Sequence, residues 1–298
     1  MRRPPLFSFV VLLLAISSCS SDEPGGADTR APTSVGASSS SGPSITVAAG
    51  GLSVEPLATV PTSTWIRSLA CPTSDYCLAS DSDHRVYSLT GTDWSGLVTP
   101  PLNSVACSSA TVCLSTTNLG DGGDEAAIAL IDGEWRQLSE HLVQVMAVTC
   151  ATDGFCLVVQ STSPEVVAFA GGTVVGTSEL SFPDEQFSSA ACISSTWCYA
   201  ISYTTGTTVR FDGSTWTAIP ATIGVSSAEL SCAPDGSCFA LSYEGDLFAL
   251  EADAWRLLGS VGDDSFASLA CTSAAECIFG TGEGSGQPGA VFRVTIRT

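Results

Sequence analysis

Twelve of the thirteen cysteines in this chain form six pairs with one internal spacing, Cys-x5-Cys: Cys71/Cys77, Cys107/Cys113, Cys150/Cys156, Cys192/Cys198, Cys232/Cys238 and Cys271/Cys277. The first members of successive pairs lie 36 to 43 residues apart. Across a hairpin, cysteines six positions apart bring their Cβ atoms to one face within bridging distance, so the pairing expected is local, one disulfide per repeat. For so short a loop the chain-entropy model gives about 2 kcal/mol per bridge. Such bridges are expected to stabilise their own hairpins and to do little to hold one repeat to the next. Zinc binding by these thiols would require shorter spacings and four converging ligands, which pairs spread over separate repeats do not offer.

The surroundings of each pair recur. Small or apolar residues precede the first cysteine, as in Ser68-Leu69-Ala70 and Ser268-Leu269-Ala270, and a polar or Gly-containing turn joins the two cysteines. An apolar run follows, such as Cys156-Leu157-Val158-Val159, and then a third segment with period-two character, such as Leu247-Phe248-Ala249-Leu250. A tight turn leads to a fourth segment opened by Trp94, Trp135, Trp216 or Trp255; the third repeat has Ala170-Gly171-Gly172-Thr173 there instead. Four short antiparallel strands per unit, at a period near 40 residues, predict an all-β fold: a six-bladed β-propeller with four-stranded blades. The recurrent Trp side chains are expected to pack between neighbouring sheets, whereas Trp65 and Trp197 fall outside that pattern. The sixth repeat stops after Ala290-Val291-Phe292-Arg293-Val294 without a fourth strand, and the alternating stretch around Gly51-Leu52-Ser53-Val54-Glu55-Pro56-Leu57 belongs to no complete unit. That N-terminal strand is expected to complete the sixth blade and close the ring, with Pro56 tolerated because an outermost strand is an edge.

The start of the chain speaks to compartment. Arg2 and Arg3 precede an apolar run from Leu6 to Ile16, too short for a membrane-spanning helix, and the run ends Ile16-Ser17-Ser18-Cys19. Residues 1–18 read as a signal peptide. Residues 19–48 read as a Ser/Gly/Pro-rich tether that cannot bury enough apolar surface to order itself, and residues 49–298 as the propeller. The Ile-Ser-Ser-Cys run resembles the lipobox of bacterial lipoproteins. That resemblance implies a diacylglyceryl group on Cys19, palmitate-type acylation of the new N-terminus, and anchoring on the outer face of the cytoplasmic membrane. Lipidation of Cys19 also removes the odd cysteine, leaving twelve to pair.

Over residues 50 to 298 the repeats resemble secreted and lipid-anchored propellers of high-GC Gram-positive bacteria, and more distantly sialidase-type propellers. The sialidase likeness implies three arginines on a substrate carboxylate, a Tyr-Glu nucleophile pair and an acid Asp. Only Arg67 and Arg85 fall near the expected channel mouth. The Ser-x-Asp-x-Gly-x-Thr-Trp box is also missing; Phe211-Asp212-Gly213-Ser214-Thr215-Trp216 approaches it with Asp one residue too close to Trp.

A formal net charge of −20 with no lysine disfavours nucleic acid and bare anionic lipid, and fits cationic partners or divalent ions. Propeller ligands commonly sit where the second-to-third-strand loops and the blade-to-blade connections meet the channel. The candidate ligand-face residues on those segments are Trp65, Arg67, Asp81, Asp83, His84, Arg85, Asp121, Asp124, Glu125, His141, Tyr243, Glu244, Asp246, Asp263 and Asp264, with Glu185 on an equivalent loop. Asp121-Gly122-Gly123-Asp124-Glu125 carries oxygens suited to Ca²⁺ but lacks the EF-hand register. No catalytic, cofactor-binding or metal-ligating residue is assigned and no cofactor is expected. Two functions stay open. One is a monomeric, membrane-tethered binding or scaffolding propeller engaging a protein or cell-envelope glycan without catalysis. The other is a carbohydrate-active hydrolase or lyase using mouth carboxylates.

Overall fold

The computed structural model describes residues 51–57, 59–119, 124–138, 142–161, 163–225, 227–262, 266–282 and 288–297. The signal segment, Cys19 and the tether lie outside them, as do Asp121, His141, Asp263 and Asp264.

Every repeat forms its own antiparallel sheet, with strands in chain order from the axis outward in blades one to five. In blade one these are Ile66–Thr73, Tyr76–Asp81, Val86–Thr90 and Asp93–Leu97. The innermost strands of blades two to six are Val105–Ser109, Val145–Cys150, Phe187–Ser194, Ala228–Cys232 and Phe266–Ser273. Each contacts the inner strand of the next blade, and the sixth contacts the first, so the six sheets close into a ring. Leu52–Pro56 pairs antiparallel with Val291–Ile296, from Leu52 opposite Ile296 to Pro56 opposite Phe292, and is the outer strand of blade six. One irregularity appears in blade two, where the outer edge is divided. Glu134–Gln137 pairs with the end of the long third strand Asp124–Ile131, and Leu142–Val143 pairs with its beginning, at Glu125 and Asp124.

The burial pattern follows from stacking sheets radially. A second strand has a neighbouring blade on each face, so both faces are covered and the sequence reads as an unbroken apolar run. Cys238–Ser242 and Phe155–Gln160 are buried at every position. Outer strands have lost one neighbour to solvent; Asp93–Leu97 and Thr173–Glu179 are mostly exposed. The core is accordingly divided among the blade interfaces. One cluster joins blades five and six through Phe239, Leu247, Phe279 and Phe292; another joins three and four through Leu157, Val166, Val209 and Phe211.

The repeated tryptophans pack there as expected. Trp216 is buried between blades three and four and donates its Nε1–H to Ser178 Oγ at 3.1 Å. Trp255 packs between blades four and five and donates to Thr208 Oγ1 at 2.8 Å, while Trp94 and Trp135 pack against the clusters behind their own blades.

All six expected disulfides are present, each inside its own hairpin between the inner and second strands. So many bridges belong to an oxidising, extracytoplasmic environment. The expectation that they do little to hold one repeat to the next needs correction, because the second cysteine of each pair lies on the covered second strand. Cys77, Cys198 and Cys277 have no exposed surface and Cys113 is 1% exposed. Each faces the preceding blade. Cys77 packs with Ala270 and Ile278 of blade six, Cys113 with Ala70 and Leu78 of blade one, Cys198 with Ala147 and Leu157 of blade three, and Cys277 with Phe239 and Leu241 of blade five. Cys156 and Cys238 repeat the arrangement against Leu114 and Tyr199. A cystine is a small apolar group once oxidised, so these sulfurs fill the blade interfaces as well as closing a loop.

Hydrogen bonds between blades come from other side chains. An inner strand has no strand partner on its axial side, and its N–H groups there need acceptors. Ser68 Oγ accepts from Val105 N at 3.0 Å, Thr149 Oγ1 from Cys192 N at 3.1 Å, Ser189 Oγ from Leu230 N at 2.8 Å and Ser231 Oγ from Cys271 N at 2.8 Å. Hydroxyls one or three residues before the first cysteine thus stitch a blade to its successor.

Candidate ligand-binding mouth

The inner strands all run the same way, so the ring has two unlike ends. At the cysteine end a cavity of 100 Å³ is ringed by the first cysteine of all six pairs. Their partners Cys77, Cys113, Cys198 and Cys277 are sealed between blades and do not line this cavity. The opposite end gathers the residues that begin each inner strand together with the turns between second and third strands. There a cavity of 330 Å³ is lined by Trp65, Ser188, Ser227, Ala228, Glu229, Leu241, Tyr243, Phe266, Ala267 and Gly282. It draws on blades one, four, five and six. A narrower axial cavity of 100 Å³ adjoins it through Glu229 and Ala267 and is also lined by Arg67, Met146 and Ser189.

Local chemistry fixes the aromatic rim. Tyr243 stands in the turn Ser242–Asp246, where Gly245 takes φ +94° and donates its N–H to Ser242 O at 3.1 Å. A Cβ on Gly245 would collide with Gly262 O and lie 2.8 Å from Phe266 Cε2, so only glycine fits both the conformation and the space. Tyr243 is 49% exposed, and Trp65, at the entry to blade one, is half-buried. Residues four repeats apart in the chain thereby share one cavity.

Of the sequence-derived candidates, the structure brings Trp65 and Tyr243 together in this cavity and places Arg67, exposed, in the adjoining axial one. The others do different things. Asp81 is fully buried and its carboxylate is used by its own turn: Oδ1 accepts from Asp83 N and Arg85 N at 2.9 Å, and Oδ2 accepts from Thr62 Oγ1 at 2.8 Å and Tyr87 OH at 3.1 Å. That turn carries His84 at φ 63°, with exposed Asp83 and Arg85 ion-paired at 3.5 Å. Glu125 is also buried. It accepts from Asn103 Nδ2 at 2.9 Å and from Val145 N at 3.1 Å, tying blade two to the start of blade three, while Asp124 beside it is exposed. Glu244 is exposed in the Tyr243 turn, and Asp246 opens the following strand with its N–H on Ser242 Oγ at 3.0 Å. Glu185 is engaged by Thr205 and Thr207 hydroxyls at 2.7 to 3.0 Å. Trp197 is exposed on the cysteine-end hairpin of blade four, under the Arg210 guanidinium at 5.6 Å.

The carboxylate that does line the mouth is Glu229, which is absent from the sequence-derived set. Its signal is visible in hindsight: aligned on the first cysteine of each pair, the position three residues earlier holds Ser68, Ser104, Ala147, Ser189, Glu229 and Ser268. A lone acid at an inner-strand hydroxyl position is the anomaly. Glu229 Oε2 accepts from Ser189 Oγ at 3.3 Å. Glu229 is half-buried, and desolvation, opposed by that hydrogen bond, pushes its pKa up from 4.5 to about 7. Among the described residues no group of three or more His, Cys, Asp or Glu side chains is placed to hold a metal ion.

No known family profile matches the sequence, and no curated protein resembles it. Solved structures do resemble the fold. A putative gluconolactonase superposes with a TM-score of 0.63 at 15% identity, covering 83% of this chain and 93% of its own. The virginiamycin B lyase of Staphylococcus aureus gives 0.58 at 10% identity, covering 83% of this chain and all of the lyase chain. YCF48, solved bound to a D1 peptide, gives 0.57 at 11% identity, covering 86% of this chain and all of its own. The likeness is one of fold. Lactonase, lyase and peptide binder share the architecture, so the mouth residues and not the ring must carry any functional argument.

Proposed function

We propose that this chain is a membrane-anchored, extracytoplasmic binding propeller, lipidated at Cys19, that engages a protein or cell-envelope glycan at its mouth without catalysis. The observation that carries the reading is the 330 Å³ cavity, which among the described residues combines two accessible aromatic side chains from different blades with one carboxylate. Glycoside hydrolysis commonly employs a pair of carboxyl groups across the scissile bond, and Glu229 is the one carboxylate among the described residues lining this cavity. Asp81 and Glu125 are not among the residues lining it, and their carboxylates are occupied by backbone and side-chain donors. The peptide-bound state of YCF48 supports this use of the ring by analogy of fold.

A carboxyl group with a pKa of about 7 is also suited to general acid–base work. That is the observation favouring the lyase or hydrolase reading. The two are separated by one set of experiments. The detergent-solubilised protein is used to capture partners from its own envelope and to probe a glycan array, alongside the Trp65→Ala/Tyr243→Ala variant. Recovery of a ligand intact and stoichiometric with wild type, and its loss with the variant, supports binding. Turnover of a captured glycan, or retention undiminished in the variant, overturns it.

A further inference from the structure

We propose that the mouth cavity is a seat for a lysine side chain of a protein partner, its ammonium against Glu229 and its methylene stem against Trp65, Leu241 and Phe266. The inference rests on the mouth being the binding face and specifies what that face accepts.

Among the described residues the cavity contains an ionisable carboxyl group and no cation, Arg67 lining the adjoining axial cavity that Glu229 also reaches. None of its ten lining residues is basic, and Glu229 belongs to no ion pair among the described residues. Burial makes its charge costly in the free protein, and a cation beside it favours the charged form and offsets part of that cost. Trp65 and Tyr243 add ring faces, which attract cations wherever they are accessible. Trp65, Leu241 and Phe266 give the walls an apolar surface for the stem of a long charged side chain, with the Ser188 and Ser227 hydroxyls also on the lining. At 330 Å³ the space lies at the lower end of small-ligand sites, enough for one extended side chain.

The geometry separates lysine from arginine. Glu229 Oε2 already accepts from Ser189 Oγ, which in turn accepts from Leu230 N, so the two carboxylate oxygens are not equally available to an incoming donor. A guanidinium is recognised best by two oxygens at once, whereas an ammonium is a point charge that one oxygen suits. The net charge of −20 draws cationic ligands toward the protein, and a chain without lysine cannot fill the seat of a second copy.

The test is a titration of the purified full-length protein with acetyl-Gly-Gly-Lys-Gly-Gly-amide, followed by calorimetry and by tryptophan fluorescence. Matched peptides carry norleucine, arginine or acetyl-lysine at the centre, and free glucosamine serves as the amino-sugar arm. The lysine peptide should bind, with affinity falling by about tenfold or more for norleucine and acetyl-lysine, and by a similar factor in Glu229→Gln. Arginine should bind more weakly than lysine. Norleucine binding as well as lysine, arginine binding better than lysine, an unchanged affinity in Glu229→Gln, or glucosamine binding where the lysine peptide does not, would each overturn the proposal. The norleucine comparison needs no variant and so does not depend on how Glu229→Gln folds. If these fail while Trp65→Ala/Tyr243→Ala still abolishes capture of the envelope ligand, the lysine seat is wrong and the mouth reading survives.

Discussion

Replacing Glu229 by glutamine should change the pH dependence of stability in a way that no surface carboxylate would. In the folded chain the Glu229 carboxyl holds its proton up to about pH 7, against an ordinary value of 4.5. Below pH 4.5 the group is protonated in both folded and unfolded chains, and its favourable contribution to folding is fully present. Between 4.5 and 7 the unfolded chain releases the proton while the folded chain retains it, so stability falls as pH rises; above 7 the loss is complete. A separation of about 2.5 pH units at about 1.4 kcal/mol each corresponds to an upper bound of about 3 kcal/mol. Glutamine keeps the shape and can still accept from Ser189 Oγ, but does not titrate. The variant should therefore match wild type at about pH 4 and exceed it at about pH 8 by up to about 3 kcal/mol. With a urea dependence of roughly 3 kcal/mol per molar, the midpoint moves by about 1 M. Urea titrations of both proteins at the two pH values measure it. An equal difference at both would refute the claim that burial of a charge in the mouth is what sets this group apart.

Other consequences concern the parts that hold the mouth in place. Asp81→Asn removes two of the acceptor interactions around a buried carboxylate and should lower stability by about 2–3 kcal/mol, seen as a reduced melting temperature, while ligand capture by the folded fraction is unchanged. Thr149→Val leaves the Cys192 N–H without its acceptor at the junction of blades three and four and should cost about 1–3 kcal/mol by denaturant titration. Gly245→Ala meets both a positive φ and the Gly262 carbonyl, and should weaken ligand capture together with stability, read by the same pull-down and melt. Opening one staple with Cys192→Ala/Cys198→Ala should cost more than the bridge's own contribution of about 2 kcal/mol, because the sulfurs also pack against blade three. Non-reducing peptide mapping should leave the other five bridges in their own hairpins.

The ring was legible because its determinants are local and repeated. A Cys-x5-Cys hairpin, an apolar second strand and a Trp opening the outer strand state the blade anew in each unit, and the missing sixth outer strand is accounted for by Leu52–Pro56. What depends on neighbours was not legible. Spacing alone shows which cysteines can bridge, but not that Cys77, Cys113, Cys198 and Cys277 point into the preceding blade; that follows only from how the sheets stack. The divided outer edge of blade two is accompanied by a hydrogen bond from Val145 N to Glu125, a contact between separate repeats. Asp81 looks in sequence like any loop acid, and only its four donors show that it faces inward. The mouth itself is built by ring closure: Trp65 and Tyr243 meet because blades one and five are separated by a single blade around the circle, not because of any spacing between them. Glu229 stands in plain view at a serine position, but on an inner strand, whereas ligand residues are expected on loops.

The central claim is that the end of the ring opposite the disulfides, around Trp65, Glu229 and Tyr243, is where this protein meets its ligand. Hydrogen–deuterium exchange on the protein with and without its captured ligand tests it most directly. Protection should concentrate in peptides covering residues 65–68, 227–229 and 241–246, with the cysteine hairpins unaffected. Protection confined to the hairpins around Trp197 and Asp235, with none at the mouth, would contradict it.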